Sequence, residues 1–242
     1  MMSTDTLFRQ RQGDQPFSFD DNVASVFPDM IRRSVPGYEL TLEMISVLAE
    51  QFARDDSQMY DLGCSLGATS LAMRAGAAQH TNCRIIAVDN SPAMLSHCRN
   101  HLTNQPDTIP IHLVCADIND VAINNASLVI LNFTLQFIPH QQRLPLLRAI
   151  RCGLNPGGVL LVSEKVTFED SIVAQNQMLL HEAFKRHQGY SELEISRKRQ
   201  ALEDVLVPDS LEQHHHRLNL AGFARTLTWF QCFNFASFLA YR

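Results

Sequence analysis

The chain has 242 residues, 45% of them apolar and 19% charged, and a formal net charge of −5. That composition suits a single domain with a full core, and the negative charge argues against a general electrostatic footprint for RNA or DNA. No run approaches the roughly 18 consecutive apolar residues of a membrane span, and the polar first residues, with Asp5, Arg9 and Arg11, lack the apolar stretch of a secretory leader, so a cytoplasmic protein is expected.

Residues 1–17 read as frayed. Over 19–33, Val23, Val26, Phe27, Met30 and Ile31 fall at helical spacing, and Pro28 is expected to divide them into two short helices. Ser34-Val35-Pro36-Gly37-Tyr38 is a turn before a helix over 39–52. Met59-Tyr60-Asp61-Leu62 is a short apolar strand, Gly63 to Gly67 a turn, and 68–73 a helix start. Arg84 to Asp89 is a second strand, after which Ser91 caps a helix with Pro92 in its first turn. Further strands follow over 111–116, ending at Asp117, and over 127–133, ending in Asn132-Phe133. Such continuous apolar runs suit parallel strands buried on both faces. Pro139 opens another helix, which Pro145 should kink or delay. Asn155-Pro156-Gly157-Gly158 turns into a fifth strand over 159–163. The repeated strand–helix order predicts a doubly wound α/β sheet. Residues 164–208 break the pattern as a charge-rich, amphipathic helical insertion, suited to a lid or a dimer contact. A last helix over 210–221 and alternating strands over 229–233 and 238–241 close the chain. The expected organisation is one domain over 1–242, with an N-terminal helical cover at 18–52 and the insertion at 164–208.

The most informative segment is the turn after the first strand. Gly63 and Gly67 allow close approach of backbone and ligand, and the turn is expected to present N–H groups to that ligand. About 20 residues on, Asp89 ends the second strand, where a Rossmann-like unit holds ribose hydroxyls. Together these make a nucleoside half-site. Its glycines depart from the dinucleotide G-x-G-x-x-G form, because Ser65 stands at the middle position. Ligands of open α/β sheets bind outside the carboxyl ends of the strands. Asp117 could therefore accept from an adenine amino group, Ile118 could cover the ring, and Asn132 could edge the transferred group. Each could equally be a turn residue or a helix cap.

The six cysteines include no CxxC pair and read as reduced core residues rather than a disulfide frame or a zinc site. Cys64 sits inside the ligand turn, where a small fitting residue is the plainer reading than a nucleophile. Consecutive residues of the His214-His215-His216 run point in different directions on a helix, so no metal is expected there. Arg197-Lys198-Arg199, with Lys185 and Arg186, is the best local basic patch, ordinarily a solvated helix face.

Asp61-x-Gly63-x-x-x-Gly67 after a strand, followed by a strand ending in Asp89, resembles the class I S-adenosylmethionine (SAM) methyltransferase fold. That resemblance implies a Rossmann-like, mostly parallel seven-stranded sheet with an antiparallel C-terminal strand. More specific segments are Val26-Phe27-Pro28-Asp29-Met30-Ile31, Arg33-Ser34-Val35-Pro36-Gly37-Tyr38, Tyr60-Asp61-Leu62-Gly63-Cys64-Ser65-Leu66-Gly67 and Asp89-Asn90-Ser91-Pro92-Ala93-Met94. Leu131-Asn132-Phe133-Thr134-Leu135-Gln136-Phe137 and Gly189-Tyr190-Ser191-Glu192-Leu193-Glu194-Ile195-Ser196 complete them. On these the chain is similar, over nearly its full length, to the bacterial carboxy-S-adenosyl-L-methionine (carboxy-SAM) synthases. The resemblance implies that SAM and prephenate become carboxy-SAM and phenylpyruvate, without a metal. Carbon dioxide from prephenate would be captured by a sulfonium ylide of SAM in a dry, closed site. It implies SAM contacts at Tyr38, Gly63, Cys64, Ser65, Asp89, Asn90, Asp117, Ile118 and Asn132, and assigns Arg199 to the new carboxylate. It also implies a homodimer whose product passes to a separate tRNA carboxymethyltransferase for wobble-uridine modification, with no direct nucleic acid binding. From the fold alone, the alternative is a methyltransferase acting on a small molecule or tRNA.

Overall fold

The computed structural model describes residues 4–10, 17–103, 109–203 and 205–242. The apolar runs form β1 (Gln58–Leu62), β2 (Arg84–Asp89), β3 (Ile111–Cys115), β4 (Ala126–Asn132) and β5 (Leu154–Thr167). They lie parallel, and β4 is buried along all but its last residue, as strands covered on both faces must be. A two-residue strand, β6 (Asp209–Ser210), pairs with the end of β5. β7 (Arg225–Cys232) and β8 (Phe235–Tyr241) form a hairpin, and β8 inserts antiparallel beside β5. The strand order is β3-β2-β1-β4-β5-β8-β7. The order reverses between β1 and β4, which places the topological switch point, and with it the ligand crevice, at the carboxyl ends of those strands.

Helices cover both faces. α1 (Leu7–Gln10), α2 (Asp21–Ser34) and α3 (Tyr38–Phe52) precede the sheet, followed by α4 (Ala68–Gly76), α5 (Pro92–Thr103) and α6 (His140–Gly153). α7 (Ser171–His187) and α8 (Glu192–Leu202) make up the insertion, and α9 (Leu211–Leu220) returns to the sheet. No helix of the described residues is long and apolar enough to cross a membrane. Ser91 Oγ accepts from Met94 N at 3.1 Å, so Ser91 caps α5 as its sequence predicts.

Three local expectations are corrected. Pro28 does not divide α2, which runs unbroken, capped by Asp20 on Val23 N. Val23, Ala24 and Met30 bury in one cluster with Phe8, Leu66 and Met94, and that packing outweighs the lost N–H. Pro145 likewise sits inside a continuous α6; the carbonyl it leaves unserved is on exposed Gln141, where water can reach it. The start of the chain is not frayed throughout. Phe8 is buried, and buried Asp5 accepts from the Tyr190 hydroxyl of the insertion.

A buried ion cluster fixes the chain below the site. Arg143 is 1% exposed. It donates to Asp209 Oδ2, to Ile138 O at 2.8 Å and to Val207 O at 2.8 Å. Asp209 Oδ2 also accepts from Arg217 at 2.6 Å. Removing one member of such a cluster leaves buried polar groups unserved. Arg143→Met should therefore lower unfolding free energy by about 3 kcal/mol in urea denaturation. A loss under about 1 kcal/mol would show that Arg217 alone holds the cluster.

Candidate active site

The carboxyl ends of β1, β2 and β4 and the inner faces of α2, α7 and α8 enclose a cavity of about 920 Å³. Every site residue expected from the sequence lies in its wall: Tyr38, Gly63, Cys64, Ser65, Asp89, Asn90, Asp117, Ile118, Asn132 and Arg199. They come from six separate stretches of chain, and the sheet order gathers them.

The turn after β1 depends on its glycines. Gly63 has φ +86°, and a Cβ there would meet Thr134 Oγ1 at 2.3 Å. Ser65 also holds a left-handed backbone, at φ +50°. The turn's amides are not free, contrary to the sequence expectation. Gly63 N and Cys64 N donate to Val88 O at 2.8 and 2.9 Å, and Ser65 N donates to Asp89 Oδ2 at 2.8 Å. The turn thus offers close backbone approach, while its N–H groups lock it onto β2.

Asp89 holds that lock from the other side, its Oδ1 accepting from Ser91 N at 2.9 Å. Burial raises its pKa, and the two amides oppose that rise. Asp117 accepts from Asn119 N at 2.8 Å, a turn cap by local geometry, and it also lines the cavity with buried Ile118. Asn132 donates to Thr69 Oγ1 at 3.0 Å, but its buried Oδ1 has no partner among the described residues. That orphaned acceptor in the wall is the feature a bound polar ligand would satisfy. Cys64 is buried, and contact with the Cys98 thiol together with burial pushes its thiol up. It is a packing residue and not a thiolate nucleophile.

Asp61 lies just beneath the turn. Ser70 Oγ donates to its Oδ2 at 2.6 Å, while Oδ1 is buried without a partner among the described residues. Burial, aided by nearby Asp89, raises its pKa from the ordinary 3.8 to about 7. The folded state therefore keeps a proton that the unfolded state has already released, and stability drops as pH rises through that interval. Between pH 5 and 8 the ligand-free protein should lose more stability than Asp61→Asn, with a slope difference of up to about 1.4 kcal/mol per pH unit. Parallel pH profiles for the two proteins would show that Asp61 is ionised throughout.

The opposite wall is cationic; the sequence marks Arg199 for it, places Lys185 and Lys198 in a solvated basic patch, and does not single out Lys165. Arg199 of α8 donates to Glu182 Oε1 of α7 at 2.8 Å and is 58% exposed, against 16% for Glu182. Lys165 at the end of β5, Lys185 of α7 and Lys198 of α8 line the same wall. The Arg197-Lys198-Arg199 run is therefore not one solvated face: Lys198 is buried and donates to Ser34 Oγ at 2.8 Å, while Arg197 turns away to Phe8 O and Arg9 O. The signal for Lys165 was its place just past Glu164 at the tip of the fifth strand. Lys185 was marked only as a neighbour of the basic patch, not as a cavity residue.

The segments that bear the sequence resemblance join here. Gly37, at φ +77°, caps α3 before Tyr38. Arg33 lies 3.8 Å over the Tyr190 ring and donates to Gln188 O at 2.7 Å. Ser191 and Glu194 form a reciprocal cap that starts α8. These contacts tie α2 to the α7–α8 pair and set Arg199 opposite the glycine turn. The histidine run has other partners: His214 stacks on Phe238, and His215 bonds Thr226 and Thr228 at 2.9 and 2.8 Å.

A family profile described as a methyltransferase domain matches residues 59–158. The chain is 53% identical over 243 aligned residues to a protein of Salmonella arizonae named carboxy-S-adenosyl-L-methionine synthase, covering 99% of this chain and 97% of that one. A protein of the same name from Escherichia coli is 52% identical over the same shares. Among solved structures, human N-acetylserotonin methyltransferase in complex with SAM aligns with a TM-score of 0.63 at 19% identity, over 92% of this chain and 55% of that chain. A candidate SAM-dependent methyltransferase from Methanococcus maripaludis aligns at 0.60 with 18% identity, over 95% and 96%. At such identities the structural likeness establishes the fold alone: the Rossmann-like class I methyltransferase fold.

Proposed function

The chain belongs to the carboxy-S-adenosyl-L-methionine synthase family, an enzyme family built on the class I methyltransferase fold, and from that premise we propose how its site works. SAM lies against the glycine turn, with its ribose on Asp89, its adenine by Asp117 and Ile118, and its methionyl end by Tyr38, Gly63 to Ser65 and Asn132. The second substrate is prephenate. Loss of its ring carboxylate as carbon dioxide and of its ring hydroxyl as hydroxide leaves phenylpyruvate. The hydroxide removes a proton from the sulfonium methyl of SAM, forming water and an ylide. The ylide carbon bonds to the carbon dioxide to give carboxy-SAM. A site that closes over both substrates would keep carbon dioxide from escaping and water from quenching the ylide.

The observation that carries this reading is Arg199 in the wall of the cavity that holds the glycine turn. A methyl group needs no cation beside it, whereas a newly formed carboxylate does, and an arginine fork suits it. Arg199 would exchange Glu182 for that carboxylate. The net charge of −5 disfavours the alternative of methyl transfer to tRNA. Exposed Ile172, Val173, Leu179 and Leu180 of α7, with Ile172 69% exposed, support a homodimer through the insertion. The product would serve tRNA wobble-uridine modification through a separate carboxymethyltransferase, in the cytoplasm.

Incubation of the purified protein with SAM and prephenate, followed by mass spectrometry, tests the reaction. A species heavier than SAM by one carboxyl group, accompanied by phenylpyruvate, is expected. Unaltered SAM would reject it.

A further inference from the structure

Prephenate carries two carboxylates with different fates. One leaves the ring and, under the reaction proposed above, reappears on carboxy-SAM. The other stays on the pyruvyl side chain and departs with phenylpyruvate. A single cation cannot hold both, because the first must move to the sulfonium carbon while the second keeps the substrate still.

The cationic wall holds two classes of side chain. Arg199 and Lys198 already have partners, Glu182 at 2.8 Å and Ser34 Oγ at 2.8 Å. Lys198 is further hemmed in by the Phe8 and Tyr190 rings, 5.9 and 5.4 Å from its Nζ. Lys165 and Lys185 differ. Both line the cavity, yet no described residue gives either ammonium a hydrogen bond or an ion pair. Lys185 is buried and Lys165 half-buried. Lys165 disfavours the charge of Lys185, Arg199 disfavours the charge of both, and Glu182 alone among the charged neighbours supports them. Burial is the larger effect: it lowers the Lys165 pKa, and it lowers that of Lys185 to about 8. His181 beside them stays neutral and adds no further positive charge, since burial pushes its pKa down to about 3 and its Nε2 bonds Ser34 O at 2.8 Å.

Cations withdrawn from water and served only by a carboxylate already paired with Arg199 are unfavourable unless a ligand supplies further counter-charge. We propose that Lys165 and Lys185 form a second carboxylate anchor, separate from Arg199, that holds the pyruvyl carboxylate which prephenate keeps when it becomes phenylpyruvate. The pair comes from the tip of β5 and from α7, so the anchor joins the rigid sheet to the insertion. It sets the ring carboxylate toward Arg199 and the SAM methyl. This assignment rests on the reaction proposed above, but its test need not.

Phenylpyruvate carries the retained carboxylate and lacks the transferred one, so it probes this anchor alone. Titration calorimetry of phenylpyruvate into SAM-saturated protein compares wild type, Lys165→Met, Lys185→Met and Arg199→Ala. Each lysine variant should bind phenylpyruvate at least about tenfold more weakly, with SAM affinity within about twofold of wild type, which also shows that the variant is folded. Lys185→Arg should recover most of the loss, and Arg199→Ala should keep phenylpyruvate affinity. Unchanged phenylpyruvate affinity in the Lys165→Met, Lys185→Met double variant would overturn the assignment. So would a parallel fall in SAM affinity, which would place the SAM carboxylate on these lysines. A wild-type protein that binds phenylpyruvate through the lysines yet makes no carboxy-SAM would overturn the reaction and leave the anchor standing.

Discussion

Arg199→Ala should bind SAM as wild type does and lose carboxy-SAM formation by about 10²–10³-fold. The reasoning begins with position. Arg199 stands across the cavity from the glycine turn, in contact with Glu182 and not with the residues that frame the nucleoside. The negative charge it would meet is absent from SAM and present on the product. An interaction made with the developing carboxylate acts on turnover and not on the SAM ground state. Truncation also strands Glu182, which lines the same wall and would then repel that carboxylate. Arg199→Lys should recover part of the loss, since a lysine keeps the charge but not the fork. Calorimetry with SAM and single-turnover assays with prephenate separate the two effects. Full product yield from Arg199→Ala would remove the carboxylate anchor from the account.

The opposite signature is expected at Asp89. Asp89→Ala should weaken SAM binding by at least about 100-fold, because a single carboxylate has three tasks. Its Oδ2 receives Ser65 N and its Oδ1 receives Ser91 N, so it joins the turn after β1 to the start of α5. Under the proposed binding mode its remaining lone pairs receive the ribose hydroxyls. Without it, the left-handed backbone at Ser65 loses its anchor. Asp89→Asn retains one acceptor oxygen and turns the other into a donor aimed at an amide, so its loss should be intermediate. A fall of less than about fivefold for alanine would mean that the turn holds itself and that the ribose is bound elsewhere.

The glycine-turn side of the cavity was legible in the sequence because its parts are local. Two glycines, an acid at a strand tip and a capped helix start sit at fixed short spacings, and each spacing has a mechanical reason. The burial of the cationic wall and its convergence on Lys165 were hidden for the opposite reason. Lys165, Lys185 and Lys198 are far apart in sequence, and a lysine on an amphipathic helix ordinarily faces water. Burial of Lys198 depends on Phe8, Tyr190 and Ser34, from three other parts of the chain. The proline errors have the same origin. Pro28 and Pro145 are helix breakers by local rules, but apolar burial along α2 and α6 keeps both helices whole. The use of the turn's own amides to bind β2 also could not be read from spacing, since it depends on the register that sets Leu62 beside Val88.

The central claim is that the carboxylate leaving prephenate is the one that arrives on SAM, without exchange with solution. Prephenate labelled with carbon-13 at the ring carboxylate tests it directly, with unlabelled bicarbonate present in excess. The account predicts carboxy-SAM that carries the label at full enrichment and phenylpyruvate that carries none. Unlabelled carboxy-SAM would show that carbon dioxide is drawn from solution and would contradict the closed-site mechanism.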